Sequence, residues 1–273
     1  MKRLLYFFSM ENEELLELNS EGLFPGPGET EEKFRQRVLA AKDFFYKQES
    51  AIAPQHWQWA SEQLRALYDF TPRWCSAIYS SKGLAPWQAA ATWIQKEKGV
   101  KPFYMIQIRP SKWVSWLIDR DELLAHEAVH AARAAFEEPK AEELFAYLTS
   151  IAKWRRIIGP LFSQPKDSLL MVGILSLGAV LQMIETIWDV FLFSGICFSA
   201  AAVLAAVWSF RLLRMRSYLA KASRQIIPFL RDPSKARAAL FRLTDQEIIE
   251  LASGKIEEKN ELRWQLLKAA YLK

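Results

Sequence analysis

Hydrophobic positions recur at helical spacing over residues 30–47, where Phe34, Val38, Leu39, Ala41, Phe44 and Phe45 predict an amphipathic helix, and the stretch 57–68 reads likewise. Ahead of them lies an acidic, leucine-rich stretch, 10–22, and then a loop over 22–29 marked by two prolines and three glycines. The pattern shifts toward strands at 75–79, 103–108 and 113–118, with Pro or Gly punctuation between them, while 87–96 reads as a helix. A helix over about 122–136 follows, and Pro139 opens another that runs to about 158. The strand at 103–109 is either a plain core strand or the sheet edge above the 122–136 helix, where an extended peptide could add.

Two charge-free runs then stand close together, 17 residues at 168–184 and 21 at 190–210. Each approaches the roughly 20 residues needed to cross a bilayer. A polar turn, Glu185 to Asp189, joins them, and it is expected to be the wet end of the hairpin. Lys153, Arg155, Arg156 and Lys166 precede the pair, and Arg211, Arg214, Arg216 and Lys221 follow it, so charge bias places both outer ends in the cytoplasm. Gly173, Gly178, Ser176, Ser199 and the alanines at 200–202 would let the two helices approach closely. Beyond Phe210 the chain is charged and helical. Thr244 with Glu247 forms a capping-box signature and Gly254 a helix stop.

Composition agrees with a folded chain that meets a membrane: 51% of residues are hydrophobic and 25% charged, with 11 Trp and 17 Phe among 273. The net charge of +5 arises from nearly balanced acids and bases with no isolated basic tract, which argues against a nucleic-acid partner. Cys75 and Cys197 lie far apart and form neither a disulfide framework nor a CxxC clip, pointing to a reducing compartment for the soluble parts. Met1 to Phe8 begins like a signal peptide, yet the apolar stretch stops at Glu11, so secretion is not expected.

The chemistry concentrates in His126-Glu127-Ala128-Val129-His130. Residues four apart share a helix face, so both imidazoles can reach one ion, and Glu127 can reach a water held there. A catalytic zinc site needs a further donor. The following helix offers Glu142 and Glu143. Glu143 shares a side with Tyr147 and Ser150 beside an apolar row and reads as inward; Glu142 shares a side with Thr149 and Lys153 and reads as outward. His56 reads as a surface or loop histidine, Tyr147 and Tyr104 as structural tyrosines, and Arg133 as a partner for Glu137.

The run His126-Glu127-x-x-His130 with Glu143-x-x-Ala146-Tyr147 resembles the gluzincin metallopeptidases, in which a Glu on the following helix is the third zinc ligand. The likeness is local, residues 121–150, and Tyr147 stands where membrane members of that group carry Asp. A partner for the second ring nitrogen of a zinc-binding histidine is therefore not identified from the sequence. The resemblance implies zinc on His126, His130 and Glu143, with Glu127 as general base acting on a peptide or protein.

The expected architecture is α+β and mostly helical: an N-terminal helical region (1–71), a zincin-like core with a small sheet (72–160), a transmembrane hairpin (166–212, spans about 168–186 and 190–210) and a C-terminal cytoplasmic helical region (213–273). The expected protein is a membrane-anchored zinc metallopeptidase of the bacterial inner membrane, with both termini and the catalytic domain cytoplasmic and the lipid bilayer as partner. The alternative is an inactive zincin-like membrane scaffold.

Overall fold

The chain is described by a computed structural model covering residues 12–47, 52, 54–84, 88–95, 103–110, 119–162, 165–188, 192–255 and 257–272. Helices α1 (Asn12–Ser20), α2 (Glu31–Lys47) and α3 (Gln58–Tyr68) come first, then strands β1 (Ala77–Tyr79), β2 (Ala90–Gln95) and β3 (Phe103–Ile108). Helix α4 (Arg120–Arg133), which carries His126, Glu127 and His130, follows, then α5 (Pro139–Leu148) and α6 (Lys153–Ile158). Two long helices, α7 (Pro165–Trp188) and α8 (Phe193–Leu230), precede α9 (Pro233–Phe241), α10 (Asp245–Ala252) and α11 (Leu262–Tyr271). The result is mostly helical with one three-stranded sheet among the described residues.

The sheet order is β1-β3-β2, with β1 parallel and β2 antiparallel to β3. Two expectations are corrected here. The helix expected over 87–96 is not formed over its described residues 88–95: Ala90–Gln95 is β2, because its β-favouring centre Thr92-Trp93-Ile94 pairs along the whole length of β3, a non-local gain that the alanines at 89–91 conceal. β3 is the central strand, so the edge on the described sheet nearest the motif is β2. Ile106 of β3 has Ala77 on one flank and Thr92 on the other, a row on one face of the sheet, against which α4 packs. The expected strand at 113–118 and the N-terminal 1–11 lie outside the described residues.

Local signals explain the helix boundaries. Asp119 caps α4, accepting from the Asp121 amide at 2.7 Å, with Asp121 and Glu122 acidic in the first turn. Pro139 starts α5, its fixed φ suited to a first helical position. The single helix expected over 139–158 is interrupted. Thr149 turns its hydroxyl onto the Ala146 carbonyl at 2.7 Å, and the Glu122 carboxylate takes the Ile151 amide at 2.9 Å, so the chain restarts as α6. Glu122 also pairs with Arg155 at 2.8 Å, pinning that restart to α4. The Thr244–Glu247 capping box is present at α10, and Gly254 follows the helix at φ +67°.

One hydrophobic core runs from Leu15 to Tyr271 and includes the C-terminal helices. Phe241 stacks on Tyr68 (ring centroids 4.3 Å apart) and on Phe70 (5.6 Å), while Phe145 meets it edge-on. Arg133, expected to pair with Glu137, is instead fully buried. It donates to the Phe241 and Leu243 carbonyls and lies over the Phe136 ring at 4.4 Å. Its cation sits inward because aromatic faces and helix-end carbonyls replace water there.

Helices α7 and α8 are both long and apolar enough to cross a membrane, each with mean hydropathy 1.9. They touch where a Cβ on Gly178 would lie 3.1 Å from Cys197 Cβ, whereas Gly173 faces open space and is not part of that contact. The expected turn at 185–189 begins later, since α7 continues to Trp188. Glu185 is not a plain solvated turn residue either: it is buried and its carboxylate accepts from the Phe193 and Ser194 amides and the Ser194 hydroxyl, capping α8 from the neighbouring helix. α8 extends 38 residues, about 57 Å at 1.5 Å per residue, so it runs well past the second apolar stretch. Its Met215 and Ala222 enter the hydrophobic core shared with the other helices.

Candidate metal centre

Helix α4 lies between the sheet and α5, and this placement brings the motif together. His126 and His130 have their Nε2 atoms 3.3 Å apart. Glu143 of α5 places one carboxylate oxygen 3.9 Å from His126 Nε2 and the other 3.6 Å from His130 Nε2. The three residues form a group able to hold a metal ion. Ligands 2.0–2.1 Å from a tetrahedral zinc lie about 3.3 Å from each other. The paired imidazoles therefore already stand at the spacing of one edge of such a site, and Glu143 stands only slightly wider.

The outer contacts answer what the sequence left open. His130 Nδ1 meets Glu142 Oε1 at 2.6 Å, so Glu142, expected to face outward, points into the pocket and orients the ring from behind. His126 has a hydrogen bond to the backbone of Ala146. The Tyr147 ring packs edge-on against His126, centroids 4.7 Å apart. Gly159 makes room for that ring, since a Cβ there would come within 2.2 Å of it.

Glu127 is buried, and Thr92 of β2 donates a hydrogen bond to its carboxylate. Thr92 had no signal in the sequence, because its strand is recognisable only through its pairing. Burial raises the Glu127 carboxyl above its ordinary range despite the Thr92 bond. Burial also pushes Glu143 up to about 7 and His126 well below its ordinary value. At His130 burial acts downward, but the Glu142 bond and the charges of Glu143, Glu142 and Glu127 outweigh it and hold the ring at about 9. Three carboxylates, Glu127, Glu142 and Glu143, thus stand around the two imidazoles, and His126, His130 and Glu143 offer one donor atom each to a common point.

Cys75 is buried, burial and then the nearby Glu127 charge push its thiol up, and Cys75 and Cys197 are both free. His56 sits on the turn Pro54–Trp57, outside the His126, His130 and Glu143 group. The side chain of Tyr104 lies outside the described residues. Comparison with protein families, curated proteins and solved structures finds no match for this chain.

Proposed function

We propose that this chain is a membrane-anchored zinc metallopeptidase of the gluzincin kind, with His126, His130 and Glu143 as ligands. The observation that carries the reading is the convergence of those three donors with a second carboxylate, Glu142, behind one imidazole and a buried third, Glu127, beside them. Nitrogen and carboxylate donors with one carboxylate-backed histidine suit zinc. Zinc held there would lower the pKa of a bound water and polarise a peptide carbonyl. Glu127, raised by burial, is suited to take a proton from the attacking water and return it to the leaving amine. Thr92 restrains its carboxylate. Within the described sheet β2 is the edge beside this helix, on which an extended peptide would add as a strand. The hairpin α7–α8 supplies the anchor, and its flanking cations favour a cytoplasmic catalytic body.

The test uses the full chain purified in detergent. Glu127→Gln is expected to keep zinc and lose cleavage of a mixed peptide library by about 10²- to 10⁴-fold, the usual contribution of a positioned general base. His126→Ala is expected to lose zinc. Equal zinc in His126→Ala and the unmutated protein would sink the metal assignment. Zinc present with no cleavage of any peptide by the unmutated protein would favour the inactive scaffold.

A further inference from the structure

A cavity of about 620 Å³ opens where the hairpin meets the soluble body, away from the metal-holding group. Four cations line it, Lys140, Lys166, Arg211 and Arg214, against one carboxylate, Asp167. Lys166 is near the start of α7, and Arg211 directly follows the charge-free stretch 190–210 of α8, so both mark the same end of the apolar hairpin. Among the described residues the side chains of Lys140, Lys166 and Arg211 have no carboxylate partner. Arg214 meets the Tyr218 hydroxyl and ring. Four like charges gathered around a hollow repel one another, and an anion inside it removes that cost.

The remaining walls are apolar or amphipathic. Trp208 is buried and rests edge-on against Phe162, while Leu212 and Met215 continue the apolar side of α8. A cationic floor next to aromatic rings at the end of two apolar helices matches a molecule that is anionic at one end and hydrocarbon at the other.

We propose that this cavity binds the headgroup of an anionic phospholipid, with the phosphate among the four cations and the acyl chains along α7 and α8. The inference rests on the membrane reading of the hairpin. Lys140 belongs to α5, two residues before Glu142, so an occupied cavity links the lipid to the helix that carries Glu142 and Glu143.

The experiment reconstitutes the full chain in nanodiscs of phosphatidylcholine alone or of equal parts phosphatidylcholine and phosphatidylglycerol, and counts retained lipid by native mass spectrometry after release. Retention of phosphatidylglycerol over phosphatidylcholine is expected. The double variant Lys166→Ala/Arg211→Ala should lower that preference on the order of tenfold, since each basic residue near a lipid surface contributes appreciably. Arg224→Ala, which removes an exposed cation of α8 outside the cavity, should leave it unchanged. Equal retention of the two lipids by the unmutated protein overturns the proposal whether or not the variants fold. So does an equal loss in Arg224→Ala, or displacement of phosphatidylglycerol by an equimolar amount of soluble glycerol phosphate. A chain that enters neither kind of nanodisc overturns the membrane reading itself, which distinguishes the two failures.

Discussion

His130 stands between two carboxylates: Glu143 lies on the Nε2 side of the ring with His126, and Glu142 takes the opposite nitrogen, Nδ1. That division sets a prediction. On the proposed zinc site, Glu142→Ala should leave His126, His130 and Glu143 in place yet weaken zinc binding by about 10- to 100-fold, the usual cost of losing such an outer partner, as read by competition with a chelator of known affinity. An unchanged affinity would show that Glu142 does not orient the ring. The i, i+4 histidines and Glu143 were legible in the sequence because a helix face is a local property. Glu142 was misjudged for the same reason: its side of α5 was inferred from α5 alone, whereas α4 lies across the helix so that both adjacent carboxylates reach it. Arg133 shows the same limit, since its partners Phe241 and Leu243 are more than a hundred residues away.

Helices α5 and α10 cap each other. The Asp245 carboxylate accepts from the Lys140 and Ala141 amides at 3.1 and 3.0 Å, and Glu138, just before α5, accepts from the Asp245 amide. The start of the helix carrying Glu142 and Glu143 is thus held by a segment from the far end of the chain. Asp245→Ala should cost about 0.5–2 kcal/mol of stability, the range for a lost N-cap, with Asp245→Asn costing less. Denaturant midpoints would check this, and identical midpoints for the two variants would argue against a capping role. The capping box at Thr244 and Glu247 could be read from four letters, but its cross-chain counterpart could not. β2 failed for a related reason: three alanines before Thr92 carry a helical preference that pairing with β3 overrides.

Across the molecule, Glu247 ties the C-terminal helices together. It is fully buried and bonds Arg263 twice at 2.7 Å, and the Trp264 indole donates to it at 3.1 Å. Burial acts to raise its carboxyl, but the Arg263 bonds and charge prevail and draw it down to about 2. A folded-state pKa below the ordinary 4.5 stabilises the fold above that ordinary value, and the contribution is lost as pH falls toward 2. Its size at neutral pH is roughly 3 kcal/mol by the shift alone. The stability gap between the unmutated protein and Glu247→Gln should therefore close as pH drops from about 4.5 to about 2. A gap that stays constant across that window would count against the pair. The mostly helical class and the apolar hairpin were legible at this scale, because both depend on long runs of sequence. The shared core was not, since it is made by contacts such as Phe241 on Tyr68 that no local pattern encodes.

The length of α8 has a further mechanical meaning. The helix passes without interruption from its apolar stretch into the core, and Arg216 on it grips the Arg156 and Ile157 carbonyls at 2.7 and 2.6 Å. An enzyme on a slack tether sweeps a broad volume above the lipid; one mounted on a stiff post works at a single height. With the hairpin in a bilayer, as proposed, such a mount would hold the His126, His130 and Glu143 group at one height above the lipid, so that the reach of a target from the membrane would matter before any side chain is recognised.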